Sequence, residues 1–131
     1  MRIRYLRQVK KLLQNDFQDT MEKFRIIKAA RLYRDEIAIA TLSERTSRVL
    51  ASQAADELLD ITGITASFVV YPDGEKVFVS ARSIGQTNVQ VILEPLGGGG
   101  NTATAGAQIT GNTVKEVLDR LVASIDKFYE V

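Results

Sequence analysis

Arg82 lies near the end of an alternating run, Val77-Phe78-Val79-Ser80-Ala81-Arg82-Ser83, and the run Gly97-Gly98-Gly99-Gly100 with Asn101 follows soon after it. A guanidinium presents a planar fork of donors that matches phosphate oxygens. Consecutive glycines let the main chain turn tightly, come close to a ligand, and aim bare N–H groups into one concavity. The Asn101 amide can both donate and accept, so it can orient a phosphate or a base edge. Each residue also has a plainer reading. The glycines can be read instead as a flexible linker, Arg82 as a surface residue paired with Glu94 or another acid, and Asn101 as the holder of a left-handed turn. The flanks of the glycines, Leu96 and Thr102–Ala107, are apolar or small rather than serine-rich or charged, which favours a turn inside a folded domain.

The residue types that are missing exclude much chemistry. The 131 residues contain no Cys and no His. Disulfides, thiolate nucleophiles, Cys or His metal sites and a Ser-His-Asp arrangement are thereby ruled out within this chain. Asp56-Glu57 and Asp60 read as the solvent face of a helix rather than as paired catalytic carboxylates. Length fits one domain, and 45% apolar with 25% charged residues is ordinary for a globular chain. No apolar run reaches the roughly 18 residues of a membrane span, and Met1-Arg2-Ile3-Arg4 lacks the apolar core of a signal peptide. The net charge of +1 hides an asymmetry: residues 1–34 carry ten Lys/Arg and three Asp/Glu, and the rest of the chain is acidic. A basic arm can meet nucleic acid or a nucleotide phosphate, but no aromatic residues are interleaved for base stacking, so a solvated helix or one resting on an acidic neighbour is the simpler expectation.

The elements that must position these residues follow from periodicity. Met1 to about Arg34 contains no Gly or Pro and reads as helix, with Val9, Leu12, Leu13 and Phe17 on one face and Met21, Phe24, Ile27 and Ala30 continuing the stripe. A strand is predicted over Glu36–Leu42, then an amphipathic helix over Thr46–Ile61 with Val49, Leu50, Ala54, Leu58 and Leu59 inward, ended by Gly63. Ile64–Tyr71 and Val77–Ser83 read as a hairpin around Pro72-Asp73-Gly74, with Ser80 and Arg82 on one face and Ala81 and Ser83 on the other. A short helix over Asn88–Leu96 runs into the glycines. Ala105–Ile109 is a further strand. Thr113 and Glu116 form the capping box of a last helix, whose stripe is Val114, Val117, Leu118, Leu121, Val122 and Ile125. The fold class is α/β (α+β): a mixed sheet of about four to five strands flanked by helices and preceded by a long connector helix.

Several spaced segments in order carry a resemblance: Ser80-Ala81-Arg82-Ser83-Ile84-Gly85, Asn88-Val89-Gln90-Val91-Ile92-Leu93-Glu94, Leu96 with Gly97–Gly100, and Ala105-Gly106-Ala107-Gln108. Together they resemble the C-terminal substrate-binding domain that accompanies Asp-His-His (DHH) phosphoesterase domains. Asn88-Val89-Gln90 and Gln53-Ala54-Ala55-Asp56 within Ala51–Leu59 are most similar to the membrane-anchored bacterial cyclic-di-AMP phosphodiesterases. The resemblance divides the chain into a connector helix over 1–34 and a substrate-binding domain over 35–131. It implies that Arg82, Ser83, Gly97, Gly98, Gly99, Gly100 and Asn101 hold a cyclic or linear dinucleotide. It also implies that manganese and catalysis belong to a separate DHH domain absent from this chain. On that reading the chain is non-catalytic and lies in the cytoplasm without direct membrane contact, within an anchored parent. The chain departs from the family in having Asn101 where a His usually follows the glycines. Two other classes stay open: a nucleic-acid-binding module of an exonuclease-like or tRNA-editing relative, and a structural or homodimer-forming domain.

Overall fold

Alternation and helical periodicity produce one mixed sheet with helices on both faces, in a computed structural model that describes residues 2–130. The order is α1 (Arg2–Lys28), β1 (Ala30–Tyr33), β2 (Ile37–Thr41), α2 (Arg48–Leu59), β3 (Ala66–Asp73), β4 (Lys76–Ser83), α3 (Val89–Leu93), β5 (Gly99–Gly100), β6 (Thr104–Thr110) and α4 (Val114–Phe128), with a 3-10 turn at Glu94–Leu96 after α3. The six strands lie in the order β1-β2-β3-β4-β6-β5. Only β2 and β3 run parallel, joined by the crossover through α2; the other neighbours are antiparallel.

Strands β2 and β3 feed two cores because their side chains alternate between faces. Ile37, Ile39, Phe68, Val70, Val77, Val79, Ala105 and Ile109 pack under α3 and α4, where Val117, Leu121 and Ile125 are fully buried. On the other face Ala38, Ala40, Val69 and Tyr71 meet α2 and Ile26 of α1. Thr113 and Glu116 form the expected capping box at the start of α4. The β3–β4 hairpin also forms, but Pro72 and Asp73 pair with Val77 and Lys76 inside it. The loop is therefore Gly74-Glu75, with Gly74 at φ +64°.

Three expectations are corrected. The helix predicted to Arg34 stops at Lys28, and Ala30–Tyr33 forms edge strand β1 against Ile37–Ala40. A three-residue turn, Arg34-Asp35-Glu36, with Arg34 and Asp35 at positive φ, reverses the chain, and cross-strand pairing outweighs the local helical preference. Val49, expected inward, is exposed; the buried face of α2 is Ala51, Ala54, Ala55 and Leu58, whose small residues let the helix sit close on the sheet. The sheet also gains β5, built from glycines that no propensity marks as strand. Along α1 the stripe residues Leu12, Leu13, Phe17 and Phe24 are exposed. No helix among the described residues is long and apolar enough to cross a membrane.

The β1–β2 turn is tied to the last helix. Tyr33 Oη donates to Asp126 Oδ1 at 2.5 Å, and Arg34 Nε meets the same oxygen at 3.0 Å. The Tyr33 hydrogen bond, then that from Arg34, holds the Asp126 carboxyl below its ordinary pKa. A depressed carboxylate stabilises the fold above its unfolded pKa, and this contribution is lost as pH falls from about 4 downward. Asp126→Asn should therefore flatten the acid limb of a melting-temperature profile and leave the profile near pH 7 parallel to the parent's. An unchanged acid limb would show that the contact carries no proton linkage.

Candidate functional site

The two faces of the sheet are covered unequally, and the gap is the site. Next to α2, on the open part of its face, β4, β6 and β5 line a cleft of about 380 Å³. Alternation supplies its walls: Phe78, Ser80 and Arg82 from β4, and Thr104, Gly106 and Gln108 from β6. Helix α2 contributes Arg48 and Ser52, which lie four residues apart and so share one face. Tyr71 and Phe78 stack at one end, with ring centroids 5.5 Å apart. Burial pushes the Tyr71 phenol above its ordinary pKa, against the opposing charge of Arg48. Ser52 Oγ and Ser80 Oγ lie 3.3 Å apart across the wall.

The four glycines divide into two pairs with different work. Gly97, at φ +83°, and Gly98 return their N–H groups to Glu94 and Leu93 carbonyls and end the α3 turn. Those two amides are committed within the protein, so the expectation that the whole run cradles a phosphate is narrowed. Gly99 and Gly100 form β5 opposite Gly106 and Ala105. Asn101 N–H donates to Thr104 C=O at 2.7 Å, making that couple a bonded pair of the antiparallel ladder. The next couple, Gly100 with Ala105, is by alternation a non-bonded one, so the Gly100 N–H turns toward the open edge of the sheet.

Arg82 lines the cleft with its side chain only 16% exposed. Its Nε donates to Asp56 Oδ1 at 2.9 Å, and its Nη1 to Ala81 C=O at 2.8 Å. Nη2 has no acceptor among the described residues, so Arg82 offers a ligand one fixed nitrogen rather than the bidentate edge its type allows. Arg82 thus pairs with an acid, Asp56, and also faces the cleft. Ser83 is elsewhere. It is buried on the opposite face, and its Oγ donates to Thr102 C=O at 3.0 Å.

Asn101 does not belong to the cleft wall. Its Oδ1 accepts from Ala103 N–H at 3.0 Å and Thr104 N–H at 2.9 Å, so it holds the β5–β6 turn, without a positive φ. Asn101→Ala should lower stability by about 1 kcal/mol through this turn, and Asn101→Asp should retain most of it. Denaturant titration of the two variants decides this; equal losses would show that the oxygen does not hold the turn.

Sequence reasoning missed Arg48, Ser52, Tyr71 and Gln108 as wall residues. The spacing of Arg48 and Ser52 and the alternation of Thr104, Gly106 and Gln108 were available signals, but nothing local says that these faces meet. Among the described residues no group of three or more acids could hold a metal ion. The charged side chains that line the cleft are Arg48 and Arg82.

Comparison with known proteins identifies the family. The profile described as the DHHA1 domain matches residues 34–130. The chain is 41% identical over 127 residues to the cyclic-di-AMP phosphodiesterase GdpP of Bacillus subtilis, a match covering 93% of this chain and 19% of that protein. It is 38% identical over 125 residues to the cyclic-di-AMP phosphodiesterase PdeA of Listeria monocytogenes, with the same shares covered. The chain thus spans about a fifth of the length of these relatives. Among solved structures, an exopolyphosphatase-related protein from Bacteroides fragilis superposes with a TM-score of 0.74 at 18% identity, over 84% of this chain and 34% of that one. That likeness concerns the fold.

Proposed function

Because the chain belongs to the DHHA1 domain family, we propose that it is the nucleotide-holding half of a two-domain phosphodiesterase and that its cleft takes a phosphate of a cyclic or linear dinucleotide. The observation that carries the reading is the convergence of Arg82, Arg48 and the edge glycines on one cleft. Arg82 Nη2 donates to a phosphate oxygen, and the missing side chain of Gly99 lets the ligand lie against the backbone. Arg48 adds a positive charge at the rim. Asn101 and Ser83 act indirectly, by shaping the glycine hairpin and pinning its Thr102 carbonyl.

The names of the relatives favour cyclic-di-AMP as ligand. Manganese would supply the hydrolytic chemistry from a separate DHH domain, since the acids described here do not fit a metal. Membrane attachment of the whole protein would also lie outside this chain. What the chain contributes is position: fixing the remote part of a dinucleotide holds the scissile bond in a reactive geometry and lowers the entropic barrier.

The test is calorimetric titration of the chain with cyclic-di-AMP, a linear dinucleotide and a longer single strand, with turnover followed in parallel. Saturable binding of a dinucleotide and no hydrolysis, with or without manganese, is expected. Preference for the longer strand with a steep salt dependence would move the assignment to a nucleic-acid module. No binding by the folded chain would leave a structural domain, and steady turnover by purified chain would overturn its non-catalytic role.

A further inference from the structure

Resting on the phosphate-holding role of Arg82 above, we propose that Asp56 selects the kind of phosphate this cleft accepts, admitting singly charged phosphodiesters and disfavouring doubly charged terminal phosphomonoesters. Asp56 comes from α2 and Arg82 from β4, and their side chains meet at 2.9 Å. The guanidinium at the cleft wall is therefore already matched by a carboxylate of the same chain. The other cation on the wall is Arg48, at the start of α2.

A phosphodiester carries one negative charge, and a terminal phosphate about 1.5 to 2 at pH 7. Either can accept from Arg82 Nη2, so hydrogen bonding does not separate them. Charge does. A ligand phosphate that docks on Arg82 also docks beside Asp56, and every added unit of negative charge meets that carboxylate. The Asp56 side chain is 62% exposed, so solvent screens its field. The resulting discrimination is roughly threefold to tenfold in affinity.

The consequence is directional for a dinucleotide. A cyclic dinucleotide contains only diesters. When water adds to one phosphorus and a P–O ester bond breaks, the product is a linear dinucleotide with one free hydroxyl and one terminal phosphomonoester. The carboxylate that positions Arg82 for the cyclic form thus weakens the hold on the opened form.

The experiment titrates the chain and its Asp56→Asn variant with cyclic-di-AMP and with the linear 5′-pApA, at about pH 7.5, where the terminal phosphate is largely doubly charged. Asparagine keeps an oxygen for Arg82 Nε and removes the charge. Asp56→Asn should raise affinity for pApA roughly threefold to tenfold more than for cyclic-di-AMP, and Asp56→Glu should retain the parent ratio. A structural role alone would move both ligands together, so an unchanged ratio overturns the proposal. A second measurement needs no variant: the unaltered chain should bind pApA no more tightly than ApA, and a tenfold gain from the terminal phosphate also overturns it. If the chain binds none of these ligands, the functional reading fails and this inference with it; binding with an unchanged ratio removes this inference alone.

Discussion

Gly98→Val should destabilise the fold by about 3 kcal/mol, whereas Gly99→Val should leave the fold standing and abolish ligand binding. A Cβ at Gly98 would lie 2.6 Å from the Gly106 carbonyl oxygen, 2.8 Å from Ala107 Cβ and 3.0 Å from Leu93 Cβ. None of these is the far end of a flexible side chain. Relief requires β5 to part from β6 or α3 to move off the sheet, which puts the effect at or above the upper end of ordinary overpacking. Gly99 differs in every respect. A Cβ there meets nothing within 4 Å, and its φ is not in the left-handed range. Its partner in the ladder is Gly106, which shares the face of Thr104 and Gln108, so an added side chain projects into the cleft. Denaturant unfolding of both variants, with dinucleotide titration of whichever remains folded, separates the two roles. Parent-like stability for Gly98→Val would mean that the glycine run yields easily, and retained binding by Gly99→Val would place the ligand elsewhere.

Arg82→Ala should weaken dinucleotide binding about tenfold to a hundredfold while the fold persists. A hydrogen bond from a charged donor contributes about 1.5–3 kcal/mol, and that interval corresponds to the stated range. The guanidinium is held on two nitrogens, by Asp56 Oδ1 and the Ala81 carbonyl, so Nη2 reaches a ligand already oriented. Arg82→Lys should recover only part of the loss, because one ammonium cannot keep both internal partners and still present a fixed donor. Affinities for Arg82→Ala within twofold of the parent, with intact circular dichroism, would remove Arg82 from the site.

Much of the fold was legible in local pattern, and the exceptions share a cause. The Thr113–Glu116 capping box, the α4 stripe and the β3–β4 hairpin need only residues a few positions apart, and all three form. β1 was read as helix because Ala30–Tyr33 gains its extended form from Ile37–Ala40 across the turn. Val49 was placed inward because its helix can bury either of two overlapping stripes, and the sheet chose the one rich in Ala. In the site, Arg82 and the glycines were legible, since a strand end and a glycine run are local signals. Asn101 and Ser83 were assigned to the ligand, yet their hydrogen bonds go to the backbone of the glycine hairpin.

The sequence by itself excluded some chemistry: with no His and no Cys the chain has neither the usual general base nor a thiolate, and Arg82 and the glycine run, residue types that suit a phosphate, stand in order along it. It also determined the last helix and the hairpin, because those depend on spacing over a few residues. Tertiary structure alone decided which glycine packs and which faces the cleft, since that depends on Leu93, Gly106 and Ala107 arriving beside Gly98. It alone decided that Arg82 meets Asp56, a residue 26 positions away on another element. Contacts between distant segments depend on how the sheet orders its strands, and the order β4-β6-β5, with α2 leaving these strands partly uncovered, is what opens a cleft at all.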